Sequence, residues 1–254
     1  GRGVYCFRCG FHRSRVVPAL VQELVGEEYT AEFEPRYRHF NDSAEWYLRF
    51  ARPATQFKIA TKYLKERGLN SDEIDRLGIL YSPSGDFEKR VIFTIRRNED
   101  GPVVFFTGRS IRQAIKPKYK NAPIPKNGFF YNVGTGDRGI VCEGPFDAIK
   151  AAQAGYRGIA IFGKSLSAAQ ARGIGSIINH ATVILDEDAF NKSIDVSVAL
   201  SYYVPTERKD TPPGKDLGDL TTATIRGIME QGGGILKQIT GEDSGPIFRG
   251  FKTI

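Results

Sequence analysis

Between Gly139 and Leu185 the chain alternates two kinds of segment, and the alternation leaves little choice of fold. Apolar runs that read as short buried strands fall at 139–142, 158–162 and 182–185, with helix-patterned segments at 145–154 and 167–179 between them. Strand, helix, strand, helix, strand is the order of a parallel α/β sheet, whose ligands gather at the carboxyl ends of the strands. Two acidic clusters fall at those ends, 43 residues apart: Glu143-Gly144 follows Gly139-Ile-Val-Cys142, and Asp186-Glu187-Asp188 follows Thr182-Val-Ile-Leu185. Carboxylates at neighbouring strand ends can share a pair of Mg²⁺ ions, the hard-cation arrangement that phosphoryl and nucleotidyl transfer require. An exposed turn is the usual reading of Asp-Glu-Asp, but a cluster directly after a buried strand needs a counter-charge. A third stretch, Gly214-Lys215-Asp216-Leu-Gly218-Asp219, either adds outer carboxylates or is a solvated loop.

The rest of the chain sets bounds on that idea. Its 254 residues, 41% hydrophobic and 26% charged, suffice for one large or two modest domains, each with its own core. A net charge of +7 favours a polyanionic partner over a basic surface without function. From Arg96 to Lys126 there are eight basic residues (Arg96, Arg97, Arg109, Arg112, Lys116, Lys118, Lys120, Lys126) against Glu99 and Asp100, which puts the phosphate-binding surface just upstream of Glu143. Pro117, Pro123 and Pro125 preset an extended backbone around those lysines. No apolar run approaches the roughly 18–20 residues a membrane span needs, and no signal-peptide form is present, so the expected location is cytoplasmic. Three cysteines cannot build a disulfide framework, and Cys142 reads as a small buried hydrophobe.

Tyr5-Cys6-Phe-Arg-Cys9-Gly10-Phe-His12 has the form of half a zinc ribbon. A structural zinc needs four ligands, and no second CxxC or CxxH pair follows; His12 and His39 are spaced unlike any ribbon. Cys6 and Cys9 therefore read as the remnant of a ribbon whose first ligand pair lay upstream, binding Zn²⁺ only when that half is present. Residues 16–54 read as a linker with one short helix near Val17–Val25. Thr55 and Ser71 are expected to cap the two helices that follow, with Arg67-Gly68-Leu69 as a stop between them. Residues 90–107 read as a hairpin turning at Asn98-Glu-Asp-Gly101, and Gly134-Thr-Gly-Asp-Arg-Gly139 as a domain boundary. Gly158-Ile-Ala-Ile-Phe-Gly163-Lys164-Ser165 fits the Walker A pattern letter by letter, yet its four variable positions are themselves a strand where a phosphate loop is required. What remains for Gly163-Lys164-Ser165 is a strand-to-helix turn with Lys164 free to meet a phosphate.

Taken in order, Glu143-Gly-Pro-Phe-Asp147, Phe162-Gly-Lys-Ser-Leu166, Leu185-Asp-Glu-Asp188 and Gly214-Lys-Asp216 resemble the TOPRIM domain of primases, topoisomerases and some nucleases. Upstream, Tyr63-Leu-Lys-Glu-Arg-Gly-Leu69, Arg90-Val-Ile-Phe-Thr-Ile-Arg96, Thr107-Gly-Arg109 and Pro117-Lys-Tyr-Lys-Asn-Ala-Pro123 resemble the bacterial and phage DnaG-type primase. The similarity covers most of residues 1–220. It implies an α/β fold, a TOPRIM Rossmann-like parallel sheet preceded by a smaller α+β basic subdomain. The expected division is a ribbon remnant at 1–15, a linker at 16–54, the basic subdomain at 55–137, TOPRIM at 138–220, and a C-terminal helix with a Gly-rich tail at 221–254.

The resemblance also implies an activity, the template-directed synthesis of short RNA primers from ribonucleoside triphosphates on single-stranded DNA, in partnership with a replicative helicase. Glu143, Asp186 and Asp188 match the family's metal-binding carboxylates, with Asp216 at its lysine-aspartate position, for Mg²⁺ or Mn²⁺. Arg67, Arg109, Lys118 and Lys126 match its nucleotide and template contacts. Two departures stand out: Phe190 occupies a position where the family usually has Gly, and the stretch from there to Val204 reads as short for a crossover helix plus a strand. A compact TOPRIM region leans towards a bacteriophage source. Two other functions stay open, a TOPRIM nuclease using the same carboxylates and a non-catalytic DNA-binding replisome adaptor. The basic segment 90–126 argues against the nuclease, and divalent-metal dependence separates the adaptor.

Overall fold

The computed structural model describes residues 4–6, 11–13, 44–97, 101–126 and 128–230. The chain divides into a unit at Gly1–His39 and a second at Phe40–Ile254. In the first, β1 (Val4–Cys6) and β2 (Phe11–Arg13) pair antiparallel, with Tyr5 opposite His12. Cys9, His39, the helix expected at Val17–Val25 and the tail from Gly232 to Ile254 lie outside the described residues.

The second unit opens with α1 (Ala44–Tyr47) and β3 (Arg52–Pro53). Ala44, Leu48, Ala51 and Ala54 are all buried, so this part of the stretch expected as linker is built into the core. Helix α2 (Lys58–Glu66) buries Ala60 and Leu64 on one face. Its N-cap is Phe57, without a side-chain cap; Thr55 instead donates from Oγ1 to Asp75 Oδ1 at 2.8 Å, tying the turn before α2 to the last turn of the helix at Ser71–Arg76. Helix α3 (Ser71–Arg76) is capped by Asn70, one residue before the expected Ser71. Asn70 Oδ1 accepts from the Glu73 N–H and Glu73 Oε2 accepts from the Asn70 N–H, both at 2.9 Å, a reciprocal capping box. The stop between the helices is as expected, with Gly68 at φ +83°.

Four further strands, β4 (Leu80–Ser82), β5 (Arg90–Arg96), β6 (Val103–Ser110) and β7 (Tyr119–Asn121), join β3 in an antiparallel sheet of order β3-β4-β5-β6-β7. The hairpin read from the sequence is β5–β6, with Val91 opposite Arg109.

The second sheet contains β8 (Tyr131–Val133), β9 (Arg138–Cys142), β10 (Arg157–Ala160), β11 (His180–Val183) and β12 (Thr206–Arg208), in the order β12-β11-β9-β10-β8. All neighbours are parallel except β8, an antiparallel edge. That edge lies upstream of the glycine turn read as a boundary, so the sheet begins before it. Helices α4 (Pro145–Gln153), α5 (Ala168–Gly175) and α6 (Phe190–Ser201) connect the parallel strands, and α7 (Thr222–Glu230) follows them. The stretch from Phe190 to Val204 holds only the crossover helix, the 12 residues of α6, and the strand it leads to, β12, lies beyond it at Thr206–Arg208. Phe190 adopts φ −48° and ψ −56°, right-handed helical values that need no glycine.

Aromatic side chains weld the two sheets together. Phe93 of β5 meets Tyr131 at 5.8 Å and Phe146 of α4 at 5.1 Å between ring centroids, and Phe105 of β6 meets Phe162 at 5.0 Å. Each such pair contributes about 0.5–1.5 kcal/mol beyond the apolar area it buries, which fixes the antiparallel sheet against the strand ends of the parallel one. Among the described residues no helix is long and apolar enough to cross a membrane.

Candidate metal centre and its basic wall

Strands β9 and β11 are adjacent and parallel, with Val141 opposite Val183, so the chain leaves both strands side by side. The pairing continues where the Ile184 N–H donates to the Val141 carbonyl at 2.9 Å. Glu143 and Asp186 are thereby forced together, and the Asp186 N–H donates to Glu143 Oε1 at 3.3 Å. Asp188 follows in a short 3-10 turn, Glu187–Ala189. One carboxylate oxygen from each of Glu143, Asp186 and Asp188 lies within 4.8 Å of the others. Three clustered hard oxygen donors suit Mg²⁺ or Mn²⁺ and disfavour softer metals.

The cluster is under electrostatic pressure. Burial, then the charge of Asp186, pushes Glu143 up to about 7. Burial and the nearby Asp216 raise Asp186 as well. Burial and mutual repulsion both disfavour the charged carboxylates, and a divalent cation offsets both. Two lysines meet part of the need: Lys164 Nζ lies 2.6 Å from Asp188 Oδ2, and Lys118 Nζ lies 3.9 Å from Asp216 Oδ2.

Asp147, quoted in the sequence motif but given no role there, is the buried brace of the site. Its Oδ2 accepts the Gly144 N–H at 3.1 Å and its Oδ1 accepts the Gly218 N–H at 2.9 Å. The first bond closes the start of α4 behind Glu143; the second fastens the loop carrying Asp216. Burial, then the Asp186 charge, pushes Asp147 up to about 6. Its position three residues into a helix, facing the N-cap amide, was the sequence signal available.

A cavity of about 360 Å³ brings carboxylates and basic side chains together, lined by Glu143, Asp186 and Asp216 and by Arg67, Arg109 and Lys118. Phe146 of α4 packs against two guanidinium groups, with Arg67 5.0 Å and Arg109 6.0 Å from its ring centroid; Arg109 also lies over Tyr119 at 4.8 Å. Asp188 faces a neighbouring depression that shares Asp186 and Asp216. Lys126 stands apart from both lining sets. Burial lowers its ammonium, which donates to the Phe162 carbonyl at 3.4 Å. Phe162 has φ +59°, a left-handed conformation in a bulky residue. Asn121 Nδ2 approaches the same carbonyl at 3.5 Å. The next residue, Gly163, donates its N–H to the Glu143 carbonyl at 3.3 Å, so this strained turn is fastened to the metal centre.

The Walker-like glycine plays another part. Gly158 lies in β10, where a Cβ would sit 1.8 Å from the Ala148 carbonyl oxygen of α4, so it is a packing glycine.

A mixed α/β core with a parallel sheet, carboxylates at its strand ends and a basic antiparallel sheet packed against it is an arrangement that can hold a divalent cation beside phosphate-binding side chains. No family model matches the sequence, and no curated protein matches it. Solved structures do. The chain matches a DnaG primase catalytic domain bound to ssDNA with a TM-score of 0.61 and 23% identity, covering 74% of this chain and 76% of that one. The Aquifex aeolicus primase, solved with its zinc-binding and RNA polymerase domains, matches with a TM-score of 0.62 and 18% identity, over 83% of this chain and 65% of that one. The E. coli primase catalytic core matches with a TM-score of 0.57 and 23% identity, over 74% and 76%. At these identities the likeness is one of fold, and the chain has the fold of the DnaG primase catalytic core.

Proposed function

We propose that this chain is a DNA primase whose parallel sheet is a TOPRIM domain, synthesising short RNA primers on single-stranded DNA from ribonucleoside triphosphates. The observation that carries the reading is that Glu143 and Asp186, clustered with Asp188, share one cavity with Arg67, Arg109 and Lys118, in a DnaG fold. Glu143, Asp186 and Asp188 hold the divalent cations, with Asp216 at the outer edge. Mg²⁺ or Mn²⁺ bound there supplies Lewis-acid activation of a ribonucleotide 3′-hydroxyl and charge for the departing pyrophosphate. Arg109 and Arg67 bind the triphosphate, their planes already ordered on Phe146, so little freedom is lost on binding. Lys118 reaches from the basic sheet to the carboxylate side and bridges the two. Lys126 acts at one remove, holding the turn at Phe162 rather than a phosphate.

The same reading gives Cys6 and Cys9 to a zinc ribbon that reads template, makes a replicative helicase the partner, and puts the work in the cytoplasm of a bacterial cell, including one infected by a phage. The test is primer synthesis on mixed-sequence single-stranded DNA with labelled ribonucleotides and Mg²⁺ or Mn²⁺, comparing wild type with Asp186→Ala. Metal-dependent short RNAs lost in the variant establish the primase; cleaved DNA without RNA establishes a nuclease. DNA binding that is equal in EDTA, without product, establishes an adaptor.

A further inference from the structure

Lys164 is a basic residue of the site outside the set matched to nucleotide and template contacts, and its position is unusual. It follows Phe162 at φ +59° and Gly163 at φ +129°, a turn fastened to the Glu143 carbonyl by the Gly163 N–H and held from behind by Lys126 and Asn121. From this fixed base its side chain reaches over the carboxylates and sets Nζ 2.6 Å from Asp188 Oδ2. The Asp188 side chain is 75% exposed, so burial does not demand this partner. The ammonium also bears on its neighbours, since its charge opposes the upward push on both Glu143 and Asp186. Lys164 thus neutralises the cluster in the way a bound cation would.

We propose that Lys164 is a tethered counter-ion that a divalent cation displaces from Asp188, and that the freed ammonium then binds the phosphates of the incoming nucleotide. The proposal rests on the reading of this cluster as a divalent-cation site for nucleotidyl transfer. Its physical basis is competition: the lysine and a metal ion draw on the same negative charges, their like charges repel across Asp188, and a cation that takes Oδ2 displaces Nζ from it. Lys164 therefore weakens metal binding while the nucleotide is absent. A lysine ammonium on a flexible four-carbon stem, released beside the metal, meets the next negative charge to arrive, which is the triphosphate. Metal and nucleotide binding are then coupled through one side chain, and each favours the other. A site built this way resists loading with metal alone and fills when both ligands are present.

The test is Mn²⁺ binding to the whole chain, followed by electron paramagnetic resonance without template, for wild type, Lys164→Gln and Lys164→Arg. Lys164→Gln is expected to bind Mn²⁺ alone roughly two- to five-fold more tightly, the worth of an exposed ion pair. Lys164→Arg keeps the charge and stays close to wild type. In an Asp188→Asn background the Lys164→Gln change is expected to add nothing, because its partner is gone. With Mn²⁺ saturating, Lys164→Gln is expected to bind α,β-methylene-ATP more weakly than wild type, again by several-fold. Unchanged or weaker Mn²⁺ binding by Lys164→Gln overturns the counter-ion, and unchanged binding of the ATP analogue overturns the phosphate role. Melting curves in EDTA verify that each variant is folded. Failure of wild type to make primers sinks the primase reading and leaves these binding results standing.

Discussion

Asp147 Oδ1 accepts the N–H of Gly218 at 2.9 Å, a bond that spans 71 residues and fastens the Asp216 loop beneath Glu143. The fit is close: a Cβ on Gly218 would stand 2.8 Å from that same oxygen. With its other oxygen on the Gly144 N–H, Asp147 satisfies two backbone donors at the wall of the cavity. Asp147→Asn keeps the shape but turns an amine towards one of those donors, leaving it unpaired at a cost of about 1–3 kcal/mol. The expected result is a melting temperature lower by roughly 2–10 °C, together with weaker Mn²⁺ binding, since Glu143 and the Asp216 loop lose their common anchor. A variant that melts and binds Mn²⁺ like wild type would show that the brace is dispensable.

Gly158 offers a sharper test of packing against motif. A methyl group there meets the Ala148 carbonyl oxygen at 1.8 Å, and the three nearest atoms are all Ala148 backbone, so no flexible side chain can yield. Gly158→Ala is expected to cost more than about 3 kcal/mol and to reduce soluble yield, with or without nucleotide. The control is Gly227→Ala in α7, where nothing lies within 4 Å of the added methyl. That change should be neutral or stabilise by up to about 1 kcal/mol. Equal stability of the two variants refutes the packing role.

These contrasts indicate what the sequence could disclose. The β9–α4–β10–α5–β11 run was legible because apolar strands and polar-faced helices alternate there without interruption, and the clustering of Glu143, Asp186 and Asp188 was legible because they stand where such strands end. The caps were displaced: Asn70 and Ser71 are both good capping residues, and the choice is made by the reach of Glu73 back to the Asn70 amide. The stretch 44–54 looked like linker because its buried residues, Ala44, Leu48, Ala51 and Ala54, are mostly small and make no strong hydrophobic pattern. The sequence pattern sets Lys126 with the phosphate contacts, and the fold sets its ammonium against the Phe162 carbonyl; holding that turn and holding a phosphate are the two roles open to it.

That distinction can be measured. Arg67 and Arg109 line the cavity and are ordered on Phe146, so Arg67→Ala and Arg109→Ala are each expected to weaken binding of a ribonucleoside triphosphate by roughly 10- to 100-fold, as for loss of a charge-assisted hydrogen bond of about 1.5–3 kcal/mol. Lys126→Met removes the donor to the Phe162 carbonyl and is expected to lower the melting temperature instead, with nucleotide affinity changed less than about three-fold. Calorimetric titration of all three variants decides the matter. A Lys126→Met protein of normal stability and poor nucleotide binding returns that lysine to the phosphate side.

The protonation of the carboxylates gives the last prediction. Unfolded, Glu143 and Asp147 titrate near the ordinary carboxylate value of about 4; folded, burial pushes Glu143 up to about 7 and Asp147 up to about 6. A folded value above the unfolded one means that the folded state binds the proton more tightly. The stabilising contribution of these groups is therefore full below about pH 4 and is lost as the pH rises through 6 to 7. In EDTA the difference in melting temperature between wild type and Glu143→Gln should favour the variant progressively from pH 5 to pH 8, because glutamine never acquires the uncompensated charge. Mg²⁺ or Mn²⁺ binds only the charged form, so added metal should raise the wild-type melting temperature strongly at pH 8 and barely at pH 5. The variant should gain less from metal at either pH. Thermal melts at the two pH values, with and without metal, test both halves. A wild type that metal stabilises equally at pH 5 and pH 8 is incompatible with a centre whose carboxylates must first give up a proton.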